Sequence, residues 1–151
     1  MQPILFDTSV YIAALRAKAG APLQLRQAAA GVPVWLSSVV LEELYAGANA
    51  RSGRAVERLE RDFDRARRTL VPNLTDWAQT GKALSRLAAK YDYEQIGQGR
   101  LTNDALIACS AGRMGITVLT ANAGDFAKLA EFLRFQWRVE SLSEPATRPK
   151  T

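Results

Sequence analysis

Short runs of apolar residues alternate along the chain with longer stretches that are apolar on one side only. The short runs cover residues 3–6, 32–36, 116–120 and 135–139, and polar or turn residues bound each of them, as is typical of buried strands. The stretches between them repeat apolar residues every three or four positions, which is the spacing of one helix face. Strands that alternate with helices predict an α/β domain, with a central parallel sheet of four or five strands and helices on both faces.

The helices are predicted from the apolar spacing and from the residues that start and stop it. We expect them over residues 10–15, 22–30, 38–48, 52–70, 75–90, 102 to 112 or 115, and 124–133. Residues 91–100 contain two glycines and predict a loop. The polar segment from residue 143 predicts a disordered tail, which leaves residues 1–142 as one folded domain.

Composition narrows the classes of protein to consider. No apolar run is long enough to span a membrane, and Asp7 interrupts the first run, so we expect neither a membrane segment nor a signal peptide. The single cysteine, Cys109, excludes an intrachain disulfide and fits the reducing cytoplasm. The chain has no histidine, which excludes the usual zinc sites and any Ser-His or Cys-His nucleophile pair.

Acidic residues stand where the strands are predicted to end. Asp7 directly follows the first strand, Glu43 lies on the helix after the second, and Asp125 lies just beyond the strand at 116–120. Asp104 opens the helix that leads into that strand. In open α/β sheets the functional crevice lies at the carboxyl ends of the strands, so we expect these acids to gather there.

The chemistry of such a group is that of a hard metal ion. Clustered carboxylates repel one another and need a cation or raised pKa values at neutral pH. Ligation by oxygen alone favours Mg²⁺, with Mn²⁺ as a substitute, over zinc. An ion held in this way can bind a phosphate oxygen, activate water and stabilise the leaving oxygen, so a phosphodiester is the natural substrate.

Each acid also has a simpler explanation when it is taken alone. Asp7 and Asp125 could be helix N-caps, Asp104 could interact with a helix dipole, and Glu43 could be a solvated residue beside Glu42. The interpretation as a metal site therefore depends on the set of four.

Four segments resemble the PIN-domain family, in particular the VapC-type toxins of toxin–antitoxin pairs. They are residues 4–9 (ILFDTS), 38–47 (SVVLEELYAG), 103–108 (NDALIA) and 118–126 (VLTANAGDF). The segments occur in the family's order over roughly residues 1 to 140. Ala121 departs from the pattern, because many relatives have arginine there.

The resemblance implies a PIN-like fold and a Mg²⁺-dependent endoribonuclease that arrests growth by cutting RNA. The family's catalytic acids correspond to Asp7, Glu43, Asp104 and Asp125, with Asp7, Asp104 and Asp125 as direct metal ligands. Glu43 would be a further ligand or, through water, the proton acceptor. Supporting polar roles fall to Thr8, Thr120 and Asn122. The partners implied are an RNA substrate, a cognate antitoxin protein and a second copy of the chain.

A basic stretch accounts for much of the net charge of +5. Residues 51–70 carry seven arginines against four acids. Six of these arginines step by three and four along the predicted helix: Arg51, Arg54, Arg58, Arg61, Arg65 and Arg68. They are either a solvated face with weak helical ion pairs, or a contact surface for RNA or the antitoxin.

Two other functions compete with the ribonuclease. The first is a catalytically silent PIN module that binds RNA or a protein, although the presence of all four acids argues against it. The second is a phosphoryl-transfer enzyme with an aspartyl nucleophile, which would need a partnered lysine or a second Asp two residues after Asp7, where Ser9 stands.

Overall fold

The computed structural model describes residues 2–17, 31–92 and 100–140. The strands are β1 (Ile4–Phe6), β2 (Val34–Ser37), β3 (Thr69–Leu70), β4 (Thr117–Thr120) and β5 (Trp137–Val139). The described helices are α1 (Thr8–Ala17), α2 (Ser38–Ala46), α3 (Ala50–Arg65), α4 (Leu74–Lys90), α5 (Arg100–Met114) and α6 (Ala123–Leu129). The predicted helix at 22–30, the rest of the predicted loop at 93–99 and the predicted tail lie outside the described residues.

The five strands form one parallel sheet in the order β3-β2-β1-β4-β5. β1 lies at the centre, where Ile4 is in register with Val34 on one side and with Thr117 on the other. All three residues of β1 are buried, which explains its uninterrupted apolar sequence. The chain runs from β1 through β2 to β3 on one side of the sheet and then crosses to β4 and β5 on the other side. Because crossovers between parallel strands are right-handed, this change of direction places helices on both faces of the sheet. The prediction of an α/β domain with a central parallel sheet is confirmed.

Polar caps fix the starts of the helices that follow. Ser37 caps α2 by accepting from the Val39 amide at 3.2 Å, as the Ser-Ser pair predicts. Asn49 caps α3 and Asn73 caps α4, and both form reciprocal capping boxes with the third helical residue. These caps fix the residue at which each of the three helices begins.

The prediction of one helix over residues 52–70 is wrong at its end. α3 stops at Arg65, and Arg67 takes a left-handed conformation with φ of 53°. The Arg68 amide then donates to the Phe63 carbonyl and the Arg67 amide to Asp64, which closes the helix in a Schellman motif. Residues 69–70 become β3, whose Leu70 is buried against the core. Arg68 therefore does not belong to the predicted helical row of arginines.

Other boundaries also differ by a few residues from the prediction, and two of them belong to helices that carry candidate acids. α5 begins at Arg100, so Asp104 lies in its second turn and does not open the helix. α6 ends at Leu129, four residues earlier than the apolar spacing predicts. In the described part of the chain, no helix combines the length and the apolar character needed to cross a membrane.

Among the described helices, α5 is the most deeply buried. Its alanines at 105, 108 and 111 are fully buried, and it packs against α2, α4, α6 and β4. A Cβ atom added to Gly112 would lie 2.3 Å from the Arg134 carbonyl oxygen, so this close crossing requires glycine. The packing of α5 against α2 places Asn103, one residue before Asp104, within hydrogen-bonding distance of Glu43.

Candidate active site

The site begins where β1 and β4, which are adjacent strands, end. Asp7 follows the last residue of β1, and its amide donates to the Leu119 carbonyl of β4 at 2.9 Å. Thr120 is the last residue of β4 and is completely buried. Parallel strands place these carboxyl ends at one edge of the sheet, so Asp7 and Thr120 meet there.

Asp7 is only 3% exposed and is held by neutral groups. Its Oδ1 accepts from the Ser9 hydroxyl at 2.5 Å and from the Val10 amide at 3.3 Å, while its Oδ2 accepts from the Thr120 hydroxyl at 2.7 Å. Burial raises the pKa of Asp7, and these hydrogen bonds oppose the rise. The bond to Val10 shows that Asp7 does cap α1, so capping and a place in the site are compatible.

Glu43 is the second acid of this edge. The Thr8 hydroxyl donates to Glu43 Oε1 at 3.0 Å and so connects α2 to the start of α1. Burial raises the pKa of Glu43, the charges of Glu42 and Asp7 raise it further, and hydrogen bonds from Thr8 and Asn103 oppose the rise. Glu42 is exposed, because one residue of offset turns a side chain by about 100° around a helix.

Hydrogen bonds connect the turn that follows β1 to the turn that follows β4. The Ala121 amide donates to the Ser9 hydroxyl at 3.0 Å, and the Asn122 amide donates to the Thr120 hydroxyl at 2.9 Å. Both hydroxyls donate in turn to Asp7. The carboxylate is thus oriented from both sides by groups that are themselves fixed.

The other two acids lie on α5 and α6, two helices that pack against each other. Asp104 is half-buried in α5 and follows Asn103, whose side chain hydrogen-bonds Glu43. Asp125 is half-buried in the first turn of α6, where its Oδ2 accepts from the Asn122 side chain at 3.0 Å. The structure brings Asp7 and Glu43 into electrostatic contact, and it orients Asp125 towards its own helix cap.

The donor set suits a hard divalent cation in its chemistry but does not form a complete cage. Oxygen is the only ligand type that these residues offer, and both Asp7 and Glu43 have raised pKa values that a bound cation would lower. Within residues 2–17, 31–92 and 100–140, no group of three or more acidic or cysteine side chains is arranged to hold a metal. The structure shows the charges of Asp7 and Glu43 interacting, and the gathering of all four carboxylates stays a prediction.

Two supporting residues were missed by the sequence reasoning. Ser9 donates to Asp7, and Asn103 stabilises the charged form of Glu43. Both stand within two residues of a candidate acid, and short polar side chains at that distance often bond to their neighbours. Both residues also lie in segments that resemble the PIN family, residues 4–9 and 103–108. Of the supporting residues that were predicted, Thr8 contacts Glu43, Thr120 contacts Asp7 and Asn122 contacts Asp125.

The protein is thus an α/β domain with acidic side chains at the carboxyl ends of its parallel strands. Comparison with known families identifies the family of this domain. The family model described as PIN domain matches residues 4–132. The chain therefore belongs to the PIN-domain family, as its four segments predicted. No curated protein matches it by sequence.

Solved structures share the fold at low sequence identity. The DNA-bound VapBC of Salmonella typhimurium has a chain 21% identical, with a TM-score of 0.64, covering 92% of this chain and 98% of its own. VapBC2 of Rickettsia felis, bound to a fragment of its promoter DNA, matches with 18% identity and a TM-score of 0.64 over 92% and 99% of the two chains. VapBC-5 of Mycobacterium tuberculosis, from a family of toxin–antitoxin systems, has 23% identity and a TM-score of 0.57 over 92% and 98%. At these identities the likeness shows the fold.

Proposed function

We propose that this chain is a Mg²⁺-dependent endoribonuclease and the toxin of a toxin–antitoxin pair. The observation that carries the proposal is the environment of Asp7. Its carboxylate is almost completely buried, and among the residues that the structure describes every hydrogen-bond partner of Asp7 is neutral. A second acid with a raised pKa, Glu43, lies close enough for the two charges to interact. A buried carboxylate beside another acid is best compensated by a cation.

Each residue has a distinct part in this proposal. Asp7, Asp104 and Asp125 would hold the metal, and Glu43 would be a further ligand or accept a proton from the attacking water. The bound cation would supply Lewis-acid stabilisation of the phosphodiester and lower the pKa of a bound water. Ser9 and Thr120 orient Asp7, while Thr8 and Asn103 orient Glu43.

The test compares two adjacent glutamates of α2 that differ in exposure. With purified protein and a panel of RNAs, Glu43→Gln should reduce Mg²⁺-dependent cleavage by about a hundredfold or more. Glu42→Gln removes the same charge from an exposed side chain and should retain the wild-type rate. Equal rates for the two variants would refute the assignment of Glu43. The absence of cleavage by the wild-type chain at any Mg²⁺ or Mn²⁺ concentration would refute the enzymatic function.

The toxin role is supported by the family and by the VapBC complexes that share the fold. Expression of the chain in the cytoplasm should arrest growth, and co-expression of the small protein encoded beside it should relieve the arrest. Asp7→Asn should not arrest growth although it accumulates to the wild-type level. An arrest that persists in Asp7→Asn would mean that toxicity does not come from RNA cleavage.

A homodimer is also part of the proposal, and an apolar surface supports it. Leu74 is 85% exposed and Trp77 55% exposed at the start of α4, next to exposed Val71. Grouped apolar side chains of this size are typical of protein contacts. Trp77→Glu should convert a dimer into a monomer in sedimentation experiments, whereas Gln79→Glu, on the same helix, should not.

A silent PIN module remains the alternative, because the described residues do not form a complete metal cage. Such a module would bind RNA or a protein without cutting. The cleavage assay above separates the two functions, since the module would show binding with no product in the presence of Mg²⁺ or Mn²⁺.

A further inference from the structure

α3 carries a row of arginines on the side that faces away from the core. Arg51, Arg54, Arg58, Arg61 and Arg65 are all exposed. At 100° per residue they fall within a sector of about 80°. The buried side of the helix, formed by Val56, Leu59 and Phe63, lies about 150° away. We call these five residues the arginine face.

The acids of α3 do not interrupt this face. Glu57, Glu60 and Asp64 form a separate exposed row, about 100° around the helix from the arginines. The Tyr45 hydroxyl donates to Glu60 at 2.6 Å, which turns that row towards α2. Asp62, which is half-buried, borders the face on its other side. The arginine face is therefore a continuous cationic strip.

The strip matches a polyanion in length and in chemistry. From Arg51 to Arg65 it extends about 21 Å along the helix axis. One nucleic-acid strand presents on the order of six phosphates over that length. Guanidinium groups bind phosphate oxygens in bidentate pairs and remain charged at any physiological pH.

A protein partner fits this surface less well. The sector contains no apolar side chain, whereas protein interfaces depend on a buried apolar or aromatic centre. The exposed apolar and aromatic side chains nearby, Tyr45 on α2 and Leu74 and Trp77 on α4, lie outside this sector. The two helices thus present two surfaces of different chemistry.

We propose, on the basis of the ribonuclease function above, that the arginine face of α3 binds the phosphate backbone of RNA. It recognises the substrate without reading its sequence, since phosphate contacts carry no base information. It adds affinity to the acidic edge, which by its own charge repels RNA. Cleavage at the acids and retention on α3 are separate steps on separate elements.

The experiment measures binding apart from cleavage. Fluorescence anisotropy with a labelled polyuridylate is recorded on Asp7→Asn, and again on the wild-type chain in EDTA, over a series of salt concentrations. The triple variant Arg54→Gln, Arg58→Gln, Arg61→Gln should weaken binding by about tenfold or more and reduce the slope of log K against log salt by about 2. The matched control is Lys82→Gln, Arg86→Gln, Arg134→Gln, which removes three exposed charges elsewhere. It should change the affinity and the slope much less.

Three results would overturn the proposal. Equal losses in the two triple variants would mean that net charge alone is responsible. Unchanged RNA binding in the arginine variant would mean that RNA binds elsewhere. Unchanged RNA binding together with lost binding of a polyglutamate peptide would mean that the face serves an acidic protein.

Cleavage kinetics distinguish this failure from failure of the nuclease function. On the active chain the arginine triple variant should raise KM and leave kcat unchanged, because the contact is made equally in the ground and transition states. If the wild-type chain binds RNA through the arginine face but never cuts it, the nuclease function fails and the surface assignment stands. If the chain cuts RNA and the triple variant has a wild-type KM, the surface assignment fails.

Discussion

Asp7 and Asp76 are equally buried but differ in their partners. Each is 3% exposed. Asp76, near the start of α4, accepts from Arg113 through Nε at 3.1 Å and Nη2 at 3.0 Å, and from the Asn73 amide at 2.9 Å. Asp7 accepts from two hydroxyls and one amide, and burial raises its pKa.

The difference separates a structural carboxylate from one that is available for chemistry. Asp76 has a cation within the fold, and the pair joins α4 to the end of α5. Asp7 has hydrogen bonds that fix its orientation, but its charge is compensated less completely. Burial alone therefore does not identify a functional acid. The character of its partners does, and the following predictions test that contrast.

The largest change in the free energy of unfolding is expected from removing Arg113, the cation that pairs with Asp76. Arg113→Met leaves the Asp76 carboxylate buried without its guanidinium and should lower the free energy of unfolding by about 3 kcal/mol. Urea denaturation measures the change. The double variant Asp76→Asn, Arg113→Met should recover part of the loss, because no buried charge remains. A single variant as stable as the wild type would show that Asp76 does not depend on Arg113.

A bound divalent cation should stabilise the protein through Asp7, the other buried carboxylate. Mg²⁺ at a hundred times its dissociation constant should raise the free energy of unfolding by about 2.7 kcal/mol. Asp7→Asn should remove this gain, and the Arg113→Met variant should keep it. The measurement is thermal unfolding with and without Mg²⁺. A gain that survives in Asp7→Asn would place the cation away from Asp7.

Ser9→Ala tests how firmly Asp7 is held. It removes one hydrogen bond to the carboxylate and leaves the Ala121 amide without its acceptor. We expect a loss of about 1 kcal/mol in unfolding free energy. Ser9→Thr should restore most of it, and denaturation curves of the three proteins provide the comparison. A Ser9→Ala protein with wild-type stability would mean that the two turns are joined by other contacts.

The smallest effect concerns pH. Because the folded protein raises the pKa of Asp7 above its usual value of 3.8, the charged form opposes folding. The penalty is complete above the raised pKa and disappears as the pH falls to 3.8. Without metal, the wild type should therefore gain stability relative to Asp7→Asn as the pH falls through that window. Calorimetry at several pH values measures the trend, and a relative loss of wild-type stability on acidification would contradict the prediction.

The sequence predicts the parts of the site that are set locally. Asp7 follows an uninterrupted apolar strand, so its position at the edge of the sheet comes directly from the pattern. Glu43 faces Thr8 because the register of α2 is fixed by its Ser37 cap and by its buried residues Val40 and Leu44. In both cases the information lies within six residues of the acid.

Features that depend on long-range packing could not be predicted in this way. β3 has two residues, too few to show any periodicity, and α3 ends at an arginine in a left-handed conformation where glycine is the usual signal. Asp76 and Arg113 pair across 37 positions, and neither has a distinguishing neighbour.

The central position of β1 has a consequence for how the molecule loses activity. Asp7 directly follows β1, which has two strands on each side, and its amide is hydrogen-bonded to Leu119 of the adjacent strand β4. Hydrogen exchange at such an amide requires the whole sheet to open, whereas edge strands and helix ends exchange through local fraying. Mild heating or denaturant should therefore leave each molecule either fully competent or globally unfolded. Heat-treated samples would then contain fewer competent molecules, each with its ordinary turnover.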